Sequence, residues 1–400
     1  MLEGAREHYF TAEEAAQELG VSLTTLYAYV SRKGIRTEKL PGVRERLYWK
    51  ADVWKARGRR AAPAPTLEPD GVSTASKITF IGDDGPYYRG QNAILLSENK
   101  TVEEVASLLW DADPAATFTT RLPRLPENYA AMMALVATAG ATDRAIVALP
   151  FLEEANPRAF DLSPPGMAAT GADLVRFLSA VLTRDTAPSS EPIHLYLGRR
   201  LGLDKDWTDV TRRLLILSAD HGFASGTYAV RAVASAGVSP FRCALAGLAL
   251  FSGRRTWFGR YDGLSRLLND ICSSPDPAAM IIARHREGDT LPGFGFSPYP
   301  DGDPRAVALL RRFDALCGGD EDYRRLTQAI ATVEEVRGEK PDFALTAMFA
   351  ARRMKMDPRD SLFLIGRSIG WVAHAIEQYQ MGELHRPPSA YVGKLPPARR

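Results

Sequence analysis

The chain has 400 residues, 45% hydrophobic and 24% charged, which is enough for two or three globular domains with large buried cores. A formal net charge of +2 selects no partner class, and the longest apolar run, CALAGLALF at residues 243–251, has about half the ~20 residues of a membrane-spanning helix. The N-terminus lacks a secretory pattern, and Cys243, Cys272 and Cys317 share no metal-ligand spacing, so buried thiols in a reducing cytoplasm and no metal are expected.

The charge is unevenly spread. Residues 32–60 hold eleven Lys/Arg and three Asp/Glu, a surplus of +8, so the rest of the chain carries about −6. In chain order, Thr11 and Glu14 (T-A-E-E) form a capping-box pattern opening an Ala-rich helix that stops at Gly20. Ser22 is placed to cap a second helix, LTTLYAYVSRK. IRTEKLPGVRERLYW reads as two short strands around Pro41-Gly42, and ADVWKARGRR as a short closing helix. RRAAPAPTLEPDG, residues 59–71, has the Pro/Ala/Gly composition of a semi-stiff linker.

This layout is that of a winged helix-turn-helix, and YFTAEEAAQELGVSLTTLYAYVSRKGIR resembles the MerR/excisionase-type DNA-binding family over residues 8–58. Ala15, Ala16, Leu19, Val21, Leu26 and Val30 are its expected core, with one of Tyr27 and Tyr29 packing inward. The second helix presents Thr24, Thr25 and Arg32 to a major groove, and Arg44 and Arg46 sit on the wing within reach of phosphates. The alternatives are a protein-contact module and a merely solvated basic face; the +8 surplus favours DNA.

From about residue 75 helical periodicity dominates (VEEVASLLW, NYAAMMALVATA, GADLVRFLSAVL, DVTRRLLILSADH, TYAVRAVASA, FRCALAGLALF), with strand signal only near KITFIG at 77–82. Ordered segments spanning residues 76–394 resemble citrate synthase: YYRGQNAILLSENKTVEEVASLLW, LSADHGFASGTYAVRAVASA, PGFGFSPYPDGDPRA, PDFAL, GRSIGWVAHAIEQ and RPPSAYVG. The resemblance implies a mostly α fold, with a large domain (75–256 and 352–400) and a small domain (257–351) around a cleft, following a 59–74 linker. It also implies an intimate homodimer and no cofactor beyond an acyl-CoA ligand or co-substrate.

In that family an Asp takes a proton from the acetyl-CoA methyl group, one His supports the enolate, and a second His polarises the ketone of oxaloacetate. Arginines and a third His hold the two carboxylates. Carried over by position, the carboxylate-binding residues are His221, Arg305, Arg367 and Arg386, the last reaching a partner subunit's cleft, and the proton-abstracting residue is Asp342. The family's Asn-Val before that Asp is Lys340-Pro341 here. Two positions depart further. PGFGH has become PGFGF, which puts Phe296 where the ketone-polarising His belongs. The other His falls on Thr256 or Trp257, depending on which glycine of SGRRTWFGRYDG sets the register.

Phe has no donor, and neither Thr nor Trp equals imidazole. Loss of one oxyanion donor costs ~10²–10³ in rate, so two losses predict a cost on the order of 10⁴ or more, allowing for non-additivity. The pattern points to a ligand-responsive DNA-binding regulator that senses oxaloacetate, citrate or an acyl-CoA. Three other readings stay open: an active citrate or 2-methylcitrate synthase, one half of a heterodimer with a complete paralogue, and a relic. The arginines are also open to a structural explanation, because buried arginines often form internal salt bridges. His374 is expected to satisfy a helix–helix hydrogen bond, and His8, His194 and His285 to lie on the surface.

Overall fold

The computed structural model describes residues 9–33, 35–38, 46–50, 52–53, 75–253, 256, 261–295, 298–299, 301–357, 359–382 and 384–385. The chain divides into two units, residues 1–71 and 72–400.

In the first unit, strand β1 (Tyr9–Phe10) leads into helices α1 (Ala12–Leu19) and α2 (Leu23–Lys33), followed by β2 (Thr37–Glu38) and β3 (Leu47–Trp49). The strands form one antiparallel sheet in the order β1-β3-β2, with Phe10 and Thr37 both facing Tyr48. The Thr11 side chain accepts the Glu14 N–H and the Glu14 carboxylate accepts the Thr11 N–H, so two of the orphan donors at the start of α1 are satisfied. Gly20, at φ 60°, closes the helix in the left-handed region. Ser22 Oγ accepts the Thr25 N–H at 3.2 Å and opens α2. Ala15, Ala16, Leu19 and Leu26 are buried with Ile35, Tyr48 and Val53, and Val21 and Val30 pack against them. Tyr27 is exposed, and the Tyr29 side chain lies outside the described residues. The turn at Pro41-Gly42 and all but residues 52 and 53 of the expected closing helix also lie outside them.

The second unit begins with a three-stranded antiparallel sheet, β4 (Thr79–Gly82), β5 (Gly85–Tyr88) and β6 (Gln91–Asn92). Only the first of these strands was legible as one. GPYY and QN are too short to show alternation, and the turns Asp83-Asp84 and Arg89-Gly90 separate them.

Helices fill the rest of this unit: α3 (Ala93–Asn99), α4 (Val102–Trp110), α5 (Pro114–Thr117), α6 (Tyr129–Leu135), α7 (Ala141–Ala155), α8 (Pro164–Leu182), α9 (Ile193–Arg200) and α10 (Lys205–Ser218). They continue with α11 (Ser225–Ala234), α12 (Pro240–Phe251), α13 (Tyr261–Ser273), α14 (Pro277–Arg286), α15 (Pro304–Cys317), α16 (Glu321–Arg337), α17 (Phe343–Arg353) and α18 (Phe363–Met381). Several start on a side-chain cap: Thr101 for α4, Ser163 for α8, Asp204 for α10, Ser239 for α12 and Asp320 for α16. The three cysteines are free and buried. No helix among the described residues is long and apolar enough to cross a membrane.

Helix α18 is the axis of the core. It packs against α8, α10, α11 and α12 and is buried almost all round, as a helix apolar on every face must be. Glycines set how closely it approaches. A Cβ on Gly366 would collide with Ser218 Oγ, and one on Gly370 with the Ala219 carbonyl, so α18 lies directly on the end of α10. On its other side Trp371 fills the space above Gly247 of α12, where a Cβ would come within 2.7 Å of the indole. Gly370→Ala is therefore expected to cost about 3 kcal/mol through overpacking against backbone. Gly319→Ala, where a Cβ would meet nothing within 4 Å, should change stability by about 0.5 kcal/mol or less. Thermal or denaturant unfolding of the two variants checks the contrast, and equal effects would contradict the close-approach account.

Candidate functional site

The site is assembled at the turn that ends α10. There the chain runs Ser218-Ala219-Asp220-His221-Gly222, and Gly222 at φ 66° takes the left-handed conformation the reversal requires. Asp220 Oδ2 accepts the Gly222 N–H at 3.0 Å, and the Tyr88 hydroxyl accepts the Asp220 N–H at 3.2 Å and donates to the Ile216 carbonyl at 2.9 Å. Helix α18 reinforces the turn: the Gly370 N–H donates to the Ala219 carbonyl at 3.1 Å and Arg367 Nε to the Ser218 carbonyl at 2.9 Å.

A second wall comes from the loop preceding α15. Gly293 (φ 93°) and Gly295 (φ 74°) let its backbone lie against residues 340–342. The Asp342 N–H donates to the Gly293 carbonyl at 2.8 Å and the Gly295 N–H to the Lys340 carbonyl at 2.9 Å, with Phe294 bridged to Pro341. Asp303 then caps α15. Its carboxylate, 2% exposed, accepts from the Arg305 N–H, from Arg305 Nε at 3.0 Å and Nη2 at 2.8 Å, and from the Phe343 N–H at 3.1 Å. The Arg305 guanidinium lies over the Phe343 ring. From the loop, the Tyr299 hydroxyl meets His221 Nε2 at 2.7 Å.

His221, Arg305 and Arg367 are therefore brought together, and the segment carrying Asp342 is tied to the same wall. The two arginines differ in what neutralises them. Arg305 is held in a two-pronged pair with Asp303, so part of its presence has a structural explanation. Arg367 is 6% exposed with its guanidinium over Phe363, and among the described residues no carboxylate lies at ion-pair distance from it. Burial lowers its proton affinity and the Arg305 charge adds to this, against the opposing pull of Asp220 and Tyr88. Burial, Arg305 and Arg367 together hold His221 down to about 2, with Asp220 opposing. The imidazole is consequently neutral. Burial pushes the Asp220 carboxyl up, but His374 and Arg367 outweigh it and keep the group well below its ordinary range.

Behind this turn lies a buried polar chain. His374 Nε2 meets Asp220 Oδ2 at 3.3 Å, its Nδ1 faces Arg231 Nη1 at 3.3 Å, and Arg231 pairs with Glu377 at 2.6 Å. Glu377 also accepts the Lys77 N–H at 2.7 Å. His374 thus links α18 to the turn after α10 and to α11.

Asp342 caps α17, accepting the Leu345 N–H at 3.1 Å. Thr256 is turned back on the end of α12, where its hydroxyl meets the Gly253 carbonyl at 2.6 Å and the Phe251 carbonyl at 3.0 Å; its single proton is engaged there. Trp257, Phe296 and Arg386 lie outside the described residues. In the first unit Thr24 and Arg46 are exposed, Thr25 Oγ1 is 2.9 Å from Ser22 Oγ, and Arg44 and the Arg32 side chain lie outside the described residues. Arg36 is paired with Asp52 at 2.8 Å, a pair already counted in the net surplus of +8. His194 is half-buried rather than on the surface, because α9 packs on α10. No group of three or more His, Cys, Asp or Glu among the described residues could hold a metal.

Asp303, Asp220 and Tyr299 were not singled out from sequence. Each stands beside a residue that was, in DPR, ADH and PGFGFSPY, and only the fold shows that they contact the site.

The sequence matches the family described as Citrate synthase, C-terminal domain, over residues 70–388. It is 28% identical to Citrate synthase of Haloferax volcanii over 45% of this chain and 49% of that one, so it spans about half of that relative. It is 25% identical to Citrate synthase 2 of Bacillus subtilis over 80% of this chain and 94% of that one, and 25% identical to 2-methylcitrate synthase 1 of Corynebacterium glutamicum over 76% and 88%. In structure it resembles a Thermoplasma acidophilum citrate synthase in ternary complex with carboxymethyl coenzyme A and oxaloacetate (TM-score 0.67, 19% identity, covering 84% of this chain and 96% of that one). The Thermotoga maritima enzyme is similar at TM-score 0.65 and 19% identity, covering 84% and 97%.

The neutral His221 has a consequence for acid stability. The unfolded chain takes up a proton at this residue as pH falls through about 6.5, whereas the folded site refuses it until about 2. Stability should therefore fall below about pH 6.5, by up to ~1.4 kcal/mol per pH unit from this one group. His221→Asn should flatten that fall between about pH 6.5 and 5, above the range in which Asp220 titrates. Thermal unfolding across this window checks it, and parallel profiles for the two proteins would refute it.

Proposed function

Because the chain belongs to the citrate synthase family, we propose that its body binds a dicarboxylate such as oxaloacetate or citrate and that this binding regulates DNA recognition by residues 8–58, with little or no citrate synthesis. The observation that carries the ligand is Arg367, a buried guanidinium without a carboxylate partner among the described residues, beside a neutral His221 and next to Arg305. A carboxylate placed there supplies the missing countercharge, and burial strengthens the attraction. Arg386 adds a third guanidinium from a partner subunit in the homodimer. Acyl-CoA is a further ligand for the same cleft, and the free thiols fit a cytoplasmic setting.

Weak chemistry follows from the donors. Phe296 has none, and the Thr256 proton is engaged with helix-end carbonyls. Asp342 is retained, which favours the alternative of an active citrate or 2-methylcitrate synthase, alone or with a complete paralogue. Its capping of α17 accounts for it without catalysis. For DNA, the support is the basic surplus over residues 32–60 and the exposure of Thr24 and Arg46. In a homodimer two such modules would address paired half-sites, and closure of the body on its ligand would change their separation.

Oxaloacetate or citrate at about 100 times its Kd should raise stability by ~2.7 kcal/mol, and Arg367→Leu should abolish the shift. No shift with any acid would overturn dicarboxylate binding. Thiol release from acetyl-CoA and oxaloacetate at ordinary enzyme rates, on the scale of 1–10³ s⁻¹, would overturn the non-catalytic reading. Arg46→Ala should weaken DNA binding and reduce the slope of log K against log salt by about 0.9. An unchanged slope would remove Arg46 from the interface.

A further inference from the structure

Arg367 serves a ligand only while the protein does not neutralise it, and a carboxylate able to do so stands nearby. Asp220 is fully buried, and it is the carboxylate whose field supports the Arg367 charge. It also lies against the same helix. A Cβ on Gly370, three residues after Arg367 in α18, would come within 2.7 Å of Asp220 Oδ1. Opposite charges so close in a dry interior attract strongly. Their separation needs a cause.

His374 supplies it. The residue is fully buried on α18, two turns beyond Arg367. Chemistry fixes the direction of both hydrogen bonds to its ring. A guanidinium has donors and no acceptor, so the 3.3 Å contact between Arg231 Nη1 and His374 Nδ1 makes Nδ1 the acceptor. The imidazole proton is then on Nε2, which donates to Asp220 Oδ2 at 3.3 Å. Arg231, itself fully buried, is held by Glu377 at 2.6 Å, and Glu377 by the Lys77 N–H at 2.7 Å. The chain runs one way, from Glu377 through Arg231 and His374 to Asp220.

Asp220 Oδ2 also accepts the Gly222 N–H at 3.0 Å, which ties the carboxylate to its own turn. A network serving only to satisfy buried charge would have an Asp220–Arg367 pair as its simplest member. Instead, Arg367 Nε donates to the Ser218 carbonyl at 2.9 Å.

We infer that His374 is a positioning residue of the dicarboxylate site: by holding Asp220 it keeps Arg367 open to the ligand, and Arg231 and Glu377 set the imidazole for that task. This inference rests on dicarboxylate binding at Arg367.

The test is calorimetric titration of the full chain with oxaloacetate and citrate, unsubstituted and in His374 and Asp220 variants. His374→Gln retains an N–H for Asp220 and an oxygen for Arg231, so affinity should stay within about threefold. His374→Phe releases Asp220 to Arg367 and should weaken both acids by about tenfold or more. Adding Asp220→Asn to His374→Phe removes the competing carboxylate, and affinity should return to within about threefold of the unsubstituted protein. A merely structural His374 gives no such recovery, because the second substitution takes away a further partner. An unrecovered double variant overturns the inference. So does undiminished affinity in His374→Phe, or a His374→Gln protein as weak as His374→Phe. Where either protein carrying His374→Phe fails to fold, Asp220→Asn alone decides. Removing the anion beside Arg367 should tighten both acids by about threefold or more, and unchanged or weaker binding overturns the inference. An unsubstituted protein that binds neither acid removes dicarboxylate binding, and this inference with it.

Discussion

The Asp303 carboxylate holds the candidate site together. It is buried, and four N–H donors converge on it: the backbone and two guanidinium nitrogens of Arg305 and the backbone of Phe343. One ionised group thereby caps α15, neutralises an arginine and anchors the start of α17. Buried charge is tolerated only when it is paired and saturated with hydrogen bonds. Here that condition also fixes where Tyr299 and Asp342 stand, because both lie on segments bound to this joint.

The opposite wall is built from a different compensation. Asp220 is fully buried and is shared among the Gly222 N–H, His374 and the field of Arg367. With Asp220 engaged by His374, and His374 in turn by Arg231 and Glu377, Arg367 is left with the Ser218 carbonyl rather than a carboxylate. The contrast with Arg305 gives the site its direction. One guanidinium is paired with a carboxylate two residues away, and the other has no carboxylate at ion-pair distance among the described residues.

Two other residues of the site are engaged by the ends of helices. Asp342 caps α17, so its presence has a structural explanation. In Thr256 a hydroxyl is present, but its proton is directed at the end of its own helix.

Much of this was legible in the chain because it depends on local rules. The capping box at Thr11 and Glu14, the stop at Gly20, the core of α1 and α2 and the helical texture of the body follow from spacing and cap chemistry over a few residues. The ordered motifs also pointed to His221, Arg305 and Arg367. The strands β5 and β6 escaped because two to four residues carry no period. Pairing escaped for a deeper reason. The Asp303–Arg305 pair spans only two residues, but whether Asp303 also reaches the Phe343 N–H, whether Arg367 meets a carboxylate among the described residues, and whether Tyr299 reaches His221 depend on contacts across tens to more than a hundred positions. Sequence by itself determined which groups are available and which helices carry them. Only the tertiary structure decided which charges are already neutralised, because neutralisation depends on distance and burial, and neither is encoded in local spacing.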